Sequence, residues 1–266
     1  MPHTGLKTAE LPVENLLKTR TVVLSGTDPE AKRLEILDYF HKTFSLYESL
    51  FECLNGDEAF YARANTLRHP LIFYYGHTAV FFINKLNVAG LIKERIDPRL
   101  ESLCAIGVDE MSWDDLNEKN YDWPTPDEIK AYRDKTRAVV DRFIRECQID
   151  LPIGWNDPLW IVMMGIEHER IHLETSAVLI RELKLKYVRQ HPVWGAICQK
   201  SGVAPANELL PVAGGMVTLG KSHDNRLYGW DNEYGQKTED IKTFKASKYL
   251  VSNSEYLGFI ANIWDS

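Results

Sequence analysis

The chain has 266 residues, is 44% hydrophobic and 26% charged, and carries a formal net charge of −7. That composition suits a globular chain able to bury a core, and the acidic balance argues against nucleic acid as a partner, which needs a basic face. No apolar run reaches membrane-spanning length, Met1 to Asn15 lacks the apolar centre of a signal peptide, and four cysteines (Cys53, Cys104, Cys147, Cys198) form no C-x-x-C pair, so disulfides and a four-cysteine zinc site are not expected and a reducing cytoplasm is.

Residues 1–27 read as an irregular lead-in that closes on Ser25-Gly26-Thr27-Asp28-Pro29, where Thr27 or Asp28 is placed to cap a helix with Pro29 in its first turn. Glu30 to Leu54 then repeats apolar residues at helical spacing: Leu34, Ile36, Leu37, Phe40, Phe44, Tyr47, Leu50 and Phe51. Asn55-Gly56-Asp57 stops it, and a short helix is expected over Glu58 to Ala64. His69-Pro70 is a break, because the residue before proline is pushed out of helical geometry. Leu71 to Leu91, rich in aromatics, reads as a second long helix buried on one side, although its periodicity also admits a strand.

Arg95 to Pro126 reads as a long structured loop, with Met111, Trp113 and Tyr121 as apolar anchors. Thr125-Pro126-Asp127-Glu128 is a helix start, opening a third helix that runs to about Cys147. A fourth spans Asp157 to Leu185. The expected organisation is a mainly α chain: a four-helix bundle over 28–186, a linker over 187–210, and an α+β segment over 211–266. In that last segment Pro211 to Gly220 reads as a strand-turn pair, Gly229 to Gly235 as a turn, Lys242 to Phe244 as a short strand and Asn253 to Ile263 as a helix. About 55 residues enclose a core poorly.

The stretch that carries chemistry is Glu167-His168-Glu169-Arg170-Ile171-His172-Leu173-Glu174. Histidines four apart on a helix share a face, the spacing that lets one rigid element hold a metal with two imidazoles. His168-Glu169-Arg170-Ile171-His172 also reads as H-E-x-x-H, the zinc-protease pattern in which the glutamate is the base. The glycine and third histidine that extend it in one protease branch are missing here. Glu174 lies two residues beyond His172, about 200° round the helix, so it cannot join both histidines on one ion. With Glu167 and Arg170 it suggests an ion-pair role instead. A third ligand must come from another helix, and His77 is preferred over His69 and His41. Three imidazoles leave open positions, which suits iron(II) with oxygen and a substrate thiol better than a closed structural zinc site.

At His69-Pro70-Leu71-Ile72-Phe73-Tyr74-Tyr75-Gly76-His77, Val108-Asp109-Glu110-Met111-Ser112-Trp113-Asp114 and Glu167 to Ser176, the sequence resembles the 5-histidylcysteine sulfoxide synthases of ovothiol biosynthesis. The ergothioneine sulfoxide synthases are more distant relatives. The resemblance implies a DinB-like bundle with Fe(II) held by His77, His168 and His172. It implies a second, formylglycine-generating-enzyme-like (sulfatase-modifying-factor, C-type-lectin-like) domain beginning at Pro211, with Gly214-Gly215 and Trp230-Asp231-Asn232-Glu233 matching its opening. The implied substrates are cysteine, histidine and O2. In that family the second domain is complete and carries a catalytic tyrosine, so a chain ending at Ser266 is expected to be a truncated form. Tyr74, Tyr75 and Trp113 are candidate pocket walls, and Arg95 and Arg99 candidate carboxylate holders. The competing expectations are a DinB-like metal-dependent hydrolase or thiol transferase, and an inactive metal-binding module.

Overall fold

The computed structural model describes residues 18–105, 121–194 and 202–264. Met111, Trp113 and the rest of the Val108 to Asp114 segment lie outside them. Among the described residues the helices are α1 (Pro29–Phe51), α2 (Glu58–Tyr61), α3 (Leu71–Val88), α4 (Pro98–Leu103), α5 (Pro126–Glu146), α6 (Pro158–Glu182) and α7 (Asn253–Trp264). The strands are β1 (Leu209–Val212), β2 (Gly215–Leu219), β3 (Lys237–Ile241) and β4 (Phe244–Ser247). The chain is mainly α, as expected. By backbone contacts it divides into two units, Met1–Ala196 with Arg226–Tyr228, and Ile197–Asn225 with Gly229–Ser266.

The first unit is a bundle of α1, α3, α5 and α6, with α3 packed on both α5 and α6 and α1 packed on the same two. Local chemistry starts the helices. Asp28 Oδ1 accepts the Glu30 and Ala31 N–H groups at 2.9 and 3.1 Å, satisfying donors that the first turn leaves unpaired. Thr125 and Glu128 form a reciprocal capping box at the start of α5. Helix α1 buries Ile36, Leu37, Phe40, Phe44, Tyr47, Leu50 and Phe51. Leu34, counted in its apolar pattern, is 63% exposed and faces solvent.

Helix α3 is buried nearly all round rather than on one side. It is the central helix, and a helix enclosed by neighbours needs no polar face. Two glycines allow the close packing around it. A Cβ on Gly165 of α6 would lie 2.3 Å from the Phe82 ring, and one on Gly76 would lie 2.7 Å from Cys104 Sγ. The loop expected from Arg95 contains a helix, α4. Asp97 Oδ1 caps it by accepting the Arg99 and Leu100 N–H groups at 3.0 and 3.1 Å, so Asp97-Pro98 is a start signal of the same kind as Asp28-Pro29.

The ends of the unit are tied down. Leu24 donates its N–H to Arg226 O and accepts from Ile153 N–H, which anchors the described part of the lead-in. After α6, the Tyr187 and Arg189 backbones bond to Asn55 and Cys53 beyond the end of α1.

In the second unit β1 pairs antiparallel with β4, from Leu209↔Ser247 to Val212↔Phe244, and β2 with β3, from Gly215↔Ile241 to Leu219↔Lys237. Both ladders keep one register, so they are two halves of one long hairpin interrupted at Ala213-Gly214 and Lys242-Thr243. The strand expected at Lys242 to Phe244 is therefore misplaced: its first two residues form the interruption, and strands flank them. The strands β1 and β2 of the expected pair bond to β4 and β3, not to each other. At the interruption a Cβ on Gly214 would lie 2.5 Å from Ile241 O. None of the described helices is long and apolar enough to cross a membrane.

Candidate metal centre

Helix α3 carries His77, and α6 carries His168 and His172 one turn apart. The structure brings these three rings together. His168 Nε2 lies 3.2 Å from His77 Nε2 and 3.2 Å from His172 Nε2. All three candidate donor atoms fall within 4.8 Å of one another. His77 and His168 are buried, at 3% and 8% exposure, while His172 is half-buried. Three different supports orient the rings. His77 Nδ1 donates to Cys104 O at 2.7 Å. A carbonyl oxygen only accepts, so the proton is on Nδ1 and Nε2 presents a lone pair to the cluster. His172 Nδ1 lies 3.4 Å from Thr175 Oγ1. His168 is held by stacking: the Phe81 ring lies parallel to it, 3.8 Å between centroids and 11° between planes. Among the described residues its Nδ1, which is buried, has no hydrogen-bond partner.

The electrostatics disfavour protons on His168 and His172. Burial first, then repulsion from His77 and His172, holds His168 well below the usual imidazole range. Burial, then His77 and Arg68, pushes His172 down to about 3. A cation among the rings would take all three Nε2 lone pairs. With metal–nitrogen bonds of about 2.1 Å, two donor nitrogens lie about 3.0 Å apart at right angles and about 3.4 Å apart at the tetrahedral angle. The His77–His168 and His168–His172 separations, 3.2 Å each, fall between these values, so these two pairs match the spacing of ligands on one divalent ion.

The other candidates are placed elsewhere. His41 pairs with Asp141 Oδ1 at 2.8 Å. His69 packs against Phe73, Tyr121 and Trp123. Arg95 is ion-paired with buried Glu101, and the exposed Arg99 pairs with the exposed Glu128 at 3.4 Å. Tyr74 does wall the cluster, its ring centroid 5.8 Å from that of His172. Tyr75 turns to Phe51 and Phe60 in the core. Glu174 is exposed, and Arg170 reaches instead toward Thr19 O and the Tyr39 ring, so the ion pair expected of Glu174 and Arg170 is not formed. Glu167 Oε1 accepts from Thr21 and Tyr39 hydroxyls at 2.7 and 2.8 Å.

Glu169 bears on the protease reading. It is fully buried and paired with the equally buried Arg133, whose Nη2 donates to Oε1 at 2.8 Å. Thr78 Oγ1 donates to the same oxygen at 3.1 Å. A carboxylate committed to a buried guanidinium is not poised to take a proton from water beside His168 and His172. The sequence reading missed Arg133. Its signal was present: in α5 it sits on the stripe Ile129, Tyr132, Thr136, Val140 and Ile144, where a charge facing the core requires a partner.

Comparison with known proteins agrees with this architecture. The sequence model of the DinB superfamily matches residues 39–176, a span that includes all three histidines. The chain is 21% identical over 251 residues to ergothioneine biosynthesis protein 1 of Neurospora crassa, covering 85% of this chain and 27% of that protein. It is 24% identical over 235 residues to ergothioneine biosynthesis protein 1 of Schizosaccharomyces pombe, covering 73% of this chain and 29% of that protein. The chain thus spans less than a third of the length of either relative. With the matched segment covering just over half of its length and including all three histidines, the chain belongs to the DinB superfamily.

Proposed function

We propose that this chain is the metal-binding part of a non-haem iron(II), O2-dependent sulfoxide synthase that joins cysteine to histidine, with His77, His168 and His172 as the ligands of Fe(II). The observation that carries this reading is the convergence of three imidazole nitrogens from two helices. Its chemical logic is a matter of charge and access. Three neutral ligands leave a divalent ion net positive, which favours a cysteine thiolate beside it. In the overall reaction a carbon–sulfur bond replaces one S–H and one ring C–H bond. One oxygen atom of O2 stays on sulfur and the other leaves with the two hydrogens as water. Iron(II), when bound, supplies the redox chemistry for O2.

The chain's own residues hold and shield. Phe81 and Phe73 stack on His168 and His77, restricting water on those sides. The half-buried His172 marks the accessible side, with the buried Tyr74 ring beside it, and there two substrates would be brought together. The same proposal takes the second unit, from Pro211, as the opening of a formylglycine-generating-enzyme-like domain.

The test is oxygen uptake by the Fe(II)-loaded chain given cysteine plus histidine. Coupled uptake and a sulfoxide product support the proposal. Preferential zinc or nickel binding with indifference to O2 supports the hydrolase or thiol-transferase alternative. The fungal similarities favour a second reading of the same class, a sulfoxide synthase acting in ergothioneine biosynthesis. Iron binding without any response to free histidine would point to it.

A further inference from the structure

We propose that Arg133, through Thr78 and Glu169, is the positioning element that sets the spacing of His77 and His168. This rests on the metal reading above and adds a residue to it. Thr78 follows His77 on α3, and Glu169 follows His168 on α6. The contact between His77 and His168 is therefore one rung between the helices, and the hydrogen bond from Thr78 Oγ1 to Glu169 Oε1, at 3.1 Å, is the next rung. Arg133 of α5 closes that second rung from the side. Its Nη1 donates to Thr78 Oγ1 at 2.9 Å and to Tyr75 O at 3.0 Å, and its Nη2 donates to Glu169 Oε1 at 2.8 Å. Its Nε donates to Glu48 Oε1 of α1 at 3.0 Å. One planar guanidinium thus touches polar atoms on three other helices of the bundle, and its geometry permits little slack.

Stability alone is a poor reason for this arrangement. Burying a charge pair costs desolvation that the pairing only partly returns, and apolar replacements of similar size are often as stable. Apolar side chains, however, tolerate sliding. A slip of one residue along a helix is a rise of about 1.5 Å, enough to pull one imidazole out of the bonding range of an ion held by the others. The second rung is directional and one residue away, so it fixes the register that apolar packing leaves soft. The carbonyl of Tyr75, two residues before His77, gives Arg133 a further hold on the same turn of α3. The network is also charge-balanced without the metal: Arg133 and Arg137 face Glu48 and Glu169, and Arg137 Nη2 donates to Glu48 Oε2 at 2.7 Å. Removing Arg133 and the charge of Glu169 together therefore leaves Glu48 paired.

The test uses Co(II) as the probe, with the full chain, following its visible absorption and its affinity by competition with a chelator. Arg133→Met combined with Glu169→Gln preserves volume and charge balance, and Thr78→Val removes the shared hydroxyl with almost no change of shape. The expected result is a thermal midpoint near wild type in both variants, Co(II) affinity lowered about 10- to 100-fold in the double variant, and a shifted visible spectrum. Thr78→Val changes both in the same direction by less, and decides the matter if the double variant does not fold. Wild-type affinity and an unchanged spectrum in the folded variants would overturn the positioning role while leaving the metal site intact. Failure of the wild-type chain to bind Co(II) would instead overturn the metal reading, and the positioning role with it.

Discussion

Helix α3 of the bundle buries thirteen of its eighteen residues, whereas every residue of the four strands in the second unit is exposed. The same chain thus contains an element specified by close packing and an element specified mainly by its strand ladders. In the bundle, apolar area removed from water supplies the driving force, and positions such as Gly76 and Gly165 permit contacts that any larger residue would obstruct. In the hairpin, Leu209, Met216, Leu219 and Phe244 are 60%, 69%, 57% and 49% exposed, so register comes from strand pairing. The difference explains why the candidate chemistry sits in the bundle. Three imidazoles are held to about the tolerance an ion demands only where their helices are locked by neighbours.

Substitutions can break or sharpen that contrast. The largest expected effect is Arg133→Met alone, which leaves the buried Glu169 carboxylate without its cation and should cost about 3–5 kcal/mol. Urea unfolding followed by far-UV circular dichroism reads it, and a cost under about 1 kcal/mol would show the network to be dispensable. Next is pH. In the metal-free protein His168 and His172 are held below their ordinary values, so near and below pH 6.5 the unfolded chain binds protons that the folded one refuses. The contribution is full above about pH 6.5 and is lost as the pH falls toward 3. The urea midpoint should drop across that window, and replacing both histidines with leucine should flatten the drop. Gly165→Ala follows, with about 1–3 kcal/mol expected from overpacking against Phe82. The smallest belongs to the other unit: Leu250→Ser, at a residue 94% exposed, should change stability by less than about 0.5 kcal/mol. A larger loss there would mean that the hairpin unit is packed more tightly than its exposure states.

Much of the bundle was legible in the sequence because its signals are local. Asp28-Pro29 and Thr125-Pro126-Asp127-Glu128 mark helix starts within four residues, and the His168/His172 spacing follows from helical geometry. That α3 is a helix was decided by length and enclosure, which periodicity does not report. The hairpin was read only in part. Its β3 strand, Lys237–Ile241, is mostly polar and charged, and strand pairing between residues as far apart as Gly215 and Ile241 leaves no local mark. The supports of the site were the least legible. Cys104 reaches His77 through its carbonyl, an atom every residue has. Phe81 reaches His168 from another helix. Arg133 announced itself only as a charge on an apolar stripe, and its partners on α1, α3 and α6 could not be named from that.

The most direct measurement is an anaerobic Fe(II) titration of the wild-type chain beside His77→Ala, His168→Ala and His172→Ala, with each variant's fold checked by circular dichroism. The predicted result is one iron per wild-type chain and loss of tight binding in each folded variant. Undiminished iron uptake in all three would contradict the account, because the ion would then be held somewhere other than among these imidazoles.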